Sequence, residues 1–303
     1  MGLSAHEQDV NRYYDLYTES TYLQGWDPEH LHLGLFDAAR DREYEQRPEL
    51  ALADRKAAVR RMTAHVVESA MIRDADVVLD AGCGVGGTVM FAAGAYDCKV
   101  IGLNLNKMQL GIAMQRAAER GLGRRVRFQV CDCSEALPVA DESVDVILTI
   151  ESACHYSNRR RFIAECTRVL RPGGRLAATD LMAADGLSPE DRQRYIRPFE
   201  AAWFLSDIES PVSYRRLLNQ AGLRVTHMDL FGNAIRPNGY IMRIGWRAIS
   251  SLSAERTLNR HEIASAERFQ TLFEALLGGK AQLGHFVAEK PQEGAPPPFP
   301  PNR

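Results

Sequence analysis

The sequence predicts an α/β fold built on a parallel sheet with helical additions, and three features carry that expectation. Short apolar runs of strand length, VVLDAG, CKVIGL, VRFQV, VDVILTI and GRLAATDL, alternate with helix-patterned stretches through the middle of the chain. That rhythm belongs to parallel strands joined by crossover helices. The first run passes directly into a glycine-rich turn and a helical segment, AGCGVGGTVMFAAGA. Before and after this block the apolar residues recur at helical spacing.

In chain order, Ala5 to Trp26 carries tyrosines and leucines at helical intervals, and Glu49 to Met71 forms a longer amphipathic pattern. The loop QGWDPEHLHLGLFD lies between them, so residues 1–72 read as a helical lid. Residues 73–185 hold the five strand-like runs and form the core. Residues 186–222, with DRQRYIRPFEAAWFL and SYRRLLNQAG, read as a helical cap. Residues 223–290 return to the sheet through LRVTHMDLF and LGHFVAEK, with more helix between. The proline-rich end, 291–303, suits neither helix nor sheet and is expected to be disordered.

Composition narrows the function. The chain has 303 residues, 45% apolar and 25% charged, enough to bury a sizeable core, and one α/β domain with a cap accounts for the length as well as two domains do. Its 37 basic and 39 acidic residues leave a net charge of −2, so no broad basic field awaits a nucleic acid. No run approaches the ~18 to 20 apolar residues of a membrane span, and the start MGLSAHEQ lacks both a signal-peptide core and the Ser or Thr of a myristoylation signal, having His6 instead. A cytoplasmic protein is expected. Six scattered cysteines suit reduced core thiols, and Cys131 with Cys133 lacks a second ligand pair, so no metal site is expected.

The glycine turn is the first chemical signal. Gly82, Gly84, Gly86 and Gly87 let the backbone turn tightly and approach a nucleotide at a helix N-terminus. Gly82, Gly84 and Gly87 also satisfy GxGxxG, which alone admits a dinucleotide. Three residues weigh against that. Asp80 would repel a pyrophosphate but hold an ammonium group; Asn104, where a nicotinamide dinucleotide site usually has an acid, can hydrogen-bond a ribose; and Asp132 ends the third strand within reach of an adenine amino group. Together they describe an adenosine with a cationic amino-acid tail.

With these residues in view, DAGCGVGG, GLNLN, CDCSEALPVADESVDVILTIES and LRPGGRL resemble, in order and spacing, the class I S-adenosylmethionine-dependent methyltransferases over about Asp74 to Leu181. The resemblance implies a Rossmann-like seven-stranded sheet with an antiparallel last strand. It implies that Asp80, Gly82, Gly84 and Gly86 hold the methionine part of S-adenosylmethionine, Asn104 the ribose, and Asp132 with Cys133 the adenine, with Leu105 also at the cofactor. GLNLNKMQ followed by ESACHY further resembles the branch that methylates carbon on sterols, geranyl diphosphate and prenylated indole alkaloids, in which Gln109 matches a glutamine near the cofactor. The N-terminal segment resembles a cofactor-covering lid, which would bring His30 and His32 to the methionine carboxylate.

The implied acceptor is a small hydrophobic molecule, in specialised metabolism, methylated at a carbon of an isoprenoid chain. An alkene that takes a methyl cation becomes a carbocation, which needs an electron-rich enclosure and then a base. Glu151, at the carboxyl end of the fourth strand, is the candidate base. Tyr14, Tyr22, Trp26, Trp203, Phe204 and Tyr240 are candidate aromatic walls, against the plainer reading that each fills core space. His155 offers the rival chemistry, deprotonating a phenol or amine acceptor for O- or N-methylation, or merely capping the helix that follows at Ser157 and Asn158. Arg159, Arg160, Arg161, Arg194, Arg197, Arg215, Arg216 and Arg236 are cations that a diphosphate would need, although such charges usually decorate a solvated face. The sequence leaves open a prenyl diphosphate or a neutral prenylated scaffold. It also leaves a cofactor-binding scaffold without turnover, or an oxidoreductase, as competing classes, and the N-terminal helices as a surface for a second copy of the chain.

Overall fold

The structure, a computed structural model, describes residues 3–253 and 256–292. Strands β1 (Val77–Ala81), β2 (Lys99–Asn104), β3 (Val126–Val130), β4 (Val144–Ile150) and β5 (Leu170–Ala183) run parallel. With β6 (Arg224–Leu230) and β7 (Ala281–Glu289) they form a seven-stranded sheet in the order β3-β2-β1-β4-β5-β7-β6. β7 is antiparallel to both neighbours. The fold is therefore the Rossmann-like sheet with an antiparallel last strand that the motifs imply.

Position in the sheet explains the composition of each strand. β1 and β4 lie at its centre, covered on both faces, and are nearly continuous apolar runs. The edge strands β3 and β6 are largely exposed and carry Arg127, Gln129, Arg224 and Asp229. Because successive side chains alternate faces, Val78 and Val146 pack against Val59, Met62 and Val66 on one side. Leu79 and Ile147 pack against Phe162, Ile163 and Leu217 on the other.

The helices are α1 (Ala5–Tyr17), α2 (Asp41–Gln46), α3 (Pro48–Ser69), α4 (Gly87–Ala95), α5 (Lys107–Glu119), α6 (Arg159–Val169), α7 (Pro189–Asp191), α8 (Arg197–Trp203), α9 (Pro211–Gln220), α10 (Arg236–Leu252) and α11 (Arg260–Leu277). α10 and α11 pack on each other, α10 also on α3 and α11 on α8. Three local features differ from the expected elements. The N-terminal helix changes at Thr18 into a π-helix that runs to Trp26, as in the Asp27 N–H donated to the carbonyl of Tyr22 five residues back. A 3₁₀ turn at Ala38–Arg40 and α2 follow the loop, anchored by buried Tyr44. β5 begins at Leu170, ahead of GRLAATDL, because Leu170 pairs with Val144 across an irregularity in the register. The expected disordered end falls, from residue 293, outside the described residues.

Candidate active site

The carboxyl ends of β1, β2 and β4 open into a cavity of about 540 Å³, roofed by the N-terminal segment and closed by α10 and α11. Ligands in open α/β sheets bind at this edge. Gly82, at φ +82°, follows β1 because a Cβ there would come within 2.3 Å of Ser152, whose hydroxyl donates to the carbonyl of Ala81 at 2.6 Å. At Gly87 a Cβ would meet the carbonyl of Glu29 at 2.3 Å, so that glycine admits the roofing loop.

Asp80, the penultimate residue of β1, is only 2% exposed, and its Oδ2 is buried with no hydrogen-bond partner. Burial pushes its carboxyl up to about 7. The side-chain amide of Asn104 donates to Gln109 Oε1 at 2.7 Å, and Gln109 donates to the Thr18 hydroxyl at 2.9 Å, which fixes both amides beneath the N-terminal segment. Asp132 accepts from the Ser134 N–H at 2.8 Å beside Cys133, and burial raises its pKa. Leu105 also lines the cavity, as does Gly84. Gly86 does not: at φ +85° it precedes α4, where a Cβ would press on Ala113.

Glu151 leaves β4 in the left-handed region at φ 49°. Its Oε1 accepts from the Leu33 N–H at 3.0 Å. Enclosure pushes the carboxyl up to about 8; the Leu33 N–H opposes this, and the charge of Asp180 adds to it. His155 is locked differently. Its Nδ1 donates to the Phe204 carbonyl at 2.9 Å, so its Nε2 accepts from the Tyr14 hydroxyl at 3.2 Å. Burial pulls its pKa down to about 4, leaving a neutral imidazole. The following helix is capped by Asn158 instead.

His32 also has both nitrogens engaged, Nδ1 donating to the Leu33 carbonyl and Nε2 accepting from Thr63, and burial lowers its pKa to about 3. His30 packs beside it, its Nδ1 3.2 Å from the Thr63 hydroxyl. Of the aromatic candidates, Tyr14, Tyr22, Trp26 and Trp203 line the cavity. Phe204 and Tyr240 do not. Phe204 packs on Tyr13 at 5.4 Å, behind the wall, and Tyr240 turns its hydroxyl to Asp41 and Arg236. The eight arginines considered for a diphosphate all lie away from the lining; Arg159, for instance, donates to the carbonyls of Ala153 and Asp207.

Two cations the motifs did not single out do line the cavity. Arg55, on α3, lies over the Trp26 ring at 5.4 Å with its Nε buried and unpartnered. Arg268, on α11, lies against Tyr13 and Tyr17. Neither has a local motif: the only trace is an amphipathic helix whose apolar stripe contains one arginine.

Residues 79–178 match the family described as "Methyltransferase domain". A methyltransferase of Streptomyces halstedii is 34% identical over 59% of this chain and 64% of its own length. An O-methyltransferase of Penicillium expansum is 33% identical over 58% of this chain and 65% of its own. The chain thus spans just under two thirds of the length of these two relatives. Among solved structures, geranyl diphosphate C-methyltransferase from Streptomyces coelicolor, in complex with Mg²⁺, geranyl diphosphate and S-adenosylhomocysteine, superposes with TM-score 0.72 at 20% identity, covering 96% of this chain and 99% of that one. A [4+2]-cyclase, SpnF, superposes with TM-score 0.71 at 24% identity, covering 94% and 97%. These two share the fold.

Proposed function

We infer that this chain is an S-adenosylmethionine-dependent methyltransferase whose acceptor is a small, largely apolar molecule held in the same cavity. The observation that carries this reading is a pair of buried side-chain atoms without hydrogen-bond partners in the lining of one cavity, Asp80 Oδ2 and Arg55 Nε, the half-buried Arg55 also feeling the charge of Asp27. A buried polar atom without a partner is costly. A zwitterionic amino-acid end satisfies both, its ammonium at Asp80 and its carboxylate at Arg55. Asn104 is the partner for a ribose hydroxyl and Asp132, with Cys133, for an adenine amino group. When bound, S-adenosylmethionine supplies a methyl group made electrophilic by its sulfonium.

The rest of the work falls to the chain. The lid residues Tyr14, Tyr22 and Trp26, with Trp203, enclose the acceptor in aromatic surface and exclude water. Glu151 takes the proton that a methylated acceptor must shed. Its carboxyl, pushed up to about 8, is a stronger base than an ordinary carboxylate. This suits methylation at a carbon of an unsaturated isoprenoid chain, the finer reading that GLNLNKMQ and ESACHY support. O-methylation is the second reading, favoured by the name of the Penicillium relative and by the neutral imidazole of His155 at the cavity wall. Against a direct role as base, His155 Nε2 already accepts from Tyr14.

Calorimetry with S-adenosylhomocysteine tests the cofactor assignment: Asp80→Asn and Arg55→Gln should each weaken binding, and unchanged affinity in both overturns it. Labelled cofactor with mixed acceptors, read by mass spectrometry, then tests the transfer. An acceptor deuterated at the carbon that loses its proton should lose the label as product forms. Full retention with a new O-methyl signal selects the second reading.

A further inference from the structure

Arg268 is a guanidinium placed where an apolar acceptor alone would not want one. It is only 7% exposed, and it lines the cavity together with Trp203, Phe269, Leu272, Ile241 and Met242. Its guanidinium carbon Cζ lies 4.2 Å from the centroid of the Tyr17 ring and 5.3 Å from that of Tyr13. Nη2 donates to the Ser265 hydroxyl at 3.1 Å. Among the described residues no carboxylate comes within 4.0 Å of it, although Glu7, Glu29, Asp80, Asp132 and Glu151 all line the same cavity. The backbone holds it in place, since Trp203 Nε1 donates to the Arg268 carbonyl at 2.9 Å.

A guanidinium presents five N–H donors in a flat fork. Here one is used by a neutral hydroxyl, and two phenol rings face the cation. The remaining donors have the cavity in front of them and no anion of the chain to meet. Aromatic faces offset only part of the cost of taking a cation from water. What completes the site is a planar oxyanion that can accept two parallel hydrogen bonds.

We propose that Arg268 is an acceptor-recognition residue, and that the methyl acceptor carries a single carboxylate at the end of its apolar body remote from the reacting atom. The proposal rests on the methyltransferase reading and narrows its acceptor. Distance from the chemistry follows from the chain of contacts. Tyr14 bonds to His155 by the β4 end, the Tyr13 ring lies 5.1 Å from that of Tyr14, and Arg268 lies against Tyr13 and Tyr17, two aromatic rings from the β4 end. The charge count argues against a diphosphate. With Arg55 given to the cofactor, Arg268 is the one cation left in the lining among the described residues, and a diphosphate carries more negative charge than one guanidinium answers.

The test uses the full chain saturated with S-adenosylhomocysteine and three probes that share one hydrocarbon body: geranic acid, geraniol and geranyl diphosphate. Binding is read by calorimetry and by quenching of Trp203 fluorescence, calibrated with Trp203→Phe. Geranic acid should bind roughly tenfold or more tightly than geraniol, the scale of one charge-assisted hydrogen-bonded pair, and more tightly than the diphosphate. Arg268→Gln should abolish that preference and Arg268→Lys should restore part of it, with S-adenosylhomocysteine affinity unchanged in both. Equal binding of acid and alcohol, absence of acid binding, a preference for the diphosphate, or acid preference that survives Arg268→Gln overturns the proposal. Loss of S-adenosylhomocysteine affinity in Arg268→Gln would place the guanidinium on the cofactor and overturn it too. If the wild-type chain fails to bind S-adenosylhomocysteine, the methyltransferase reading falls, which separates that failure from failure of the acceptor assignment. Should Arg268→Gln not fold, Arg268→Lys and Ser265→Ala, which removes the hydroxyl that orients the fork, keep the comparison of acid with alcohol decisive.

Discussion

Glu151 combines a left-handed backbone with a carboxyl pushed up to about 8, and both follow from its place at the end of a buried central strand. A non-glycine residue at such a φ costs on the order of 1–3 kcal/mol, here held by the Leu33 N–H and by the Glu151 N–H donated to the Thr179 carbonyl. Glu151→Gln should keep S-adenosylhomocysteine binding and lower turnover by roughly 10²- to 10⁴-fold, the range for a lost general base. The wild-type rate should climb as pH rises toward about 8, where the carboxyl gives up its proton, and the variant should lose that limb. Asp80 makes a separate prediction about stability. Its folded-state pKa, about 7, is above the ordinary 3.8, so the folded chain holds this proton more tightly than the unfolded chain does. The resulting stability is complete below pH ~4 and is lost as pH rises through about 7. Asp80→Asn, which carries no charge to desolvate, should therefore gain stability relative to wild type between pH 5 and 8 without ligand, on the order of a few kcal/mol. Denaturant midpoints of the two proteins that keep a constant gap across this range would refute it. Asp80, Asn104, Asp132 and Glu151 were legible because each sits at a fixed offset from a strand end. Arg55 and Arg268 were not, because one arginine on an amphipathic helix reads as solvated until the helix is seen to face a cavity.

The lid shows the same division at the level of elements. Its helical start was legible from spacing, but its passage into a π-helix at Thr18 was not, since the wider turn has no compositional mark. The lid is tied down by polar contacts to the core: Asn106 donates to Asp15 at 2.7 Å, Gln109 to Thr18, and Tyr14 to His155. The lid also buries Tyr13, Tyr22, Trp26, Leu33 and Phe36 in the main apolar cluster, so its opening must break both kinds of contact, and a ligand bound beneath it suppresses that opening. Amide exchange in residues 10–36 should slow when S-adenosylhomocysteine binds, and identical rates with and without it would exclude a closing lid. α11 begins with a capping box, in which Asn259 Oδ1 accepts from the His261 and Glu262 N–H groups while Glu262 accepts from the Asn259 N–H. Asn259→Ala should cost about 1 kcal/mol, measured as a lower denaturant midpoint. The inner parallel strands β1, β2, β4 and β5 were legible because burial on both faces imposes near-continuous apolar sequence; the early start of β5 was not, because Leu170 joins through an irregular register.

Taken whole, the molecule draws its described site from sequence-distant segments: the lid, the ends of the parallel strands, α8, α10 and α11. S-adenosylhomocysteine, held between the N-terminal segment and the strand ends, binds only the folded chain, so at 100 times its dissociation constant it should add about 2.7 kcal/mol and raise the melting temperature by several degrees. NAD at equal concentration should leave it unchanged; an equal shift with NAD would revive the dinucleotide reading of the glycine turn. No helix among the described residues is long and apolar enough to cross a membrane. The strand order has a further consequence for how the chain is made. β7 sits between β5 and β6, so β5 leaves the ribosome with one edge unpaired and β6 has no neighbour to join. Ala281 follows Ala183 by 98 residues, which at ~5 to 20 residues per second is a wait of roughly 5 to 20 s. During that interval the nascent chain exposes an apolar strand edge, a natural target for a chaperone, and the antiparallel strand closes it only after the helices of the cap have been synthesised.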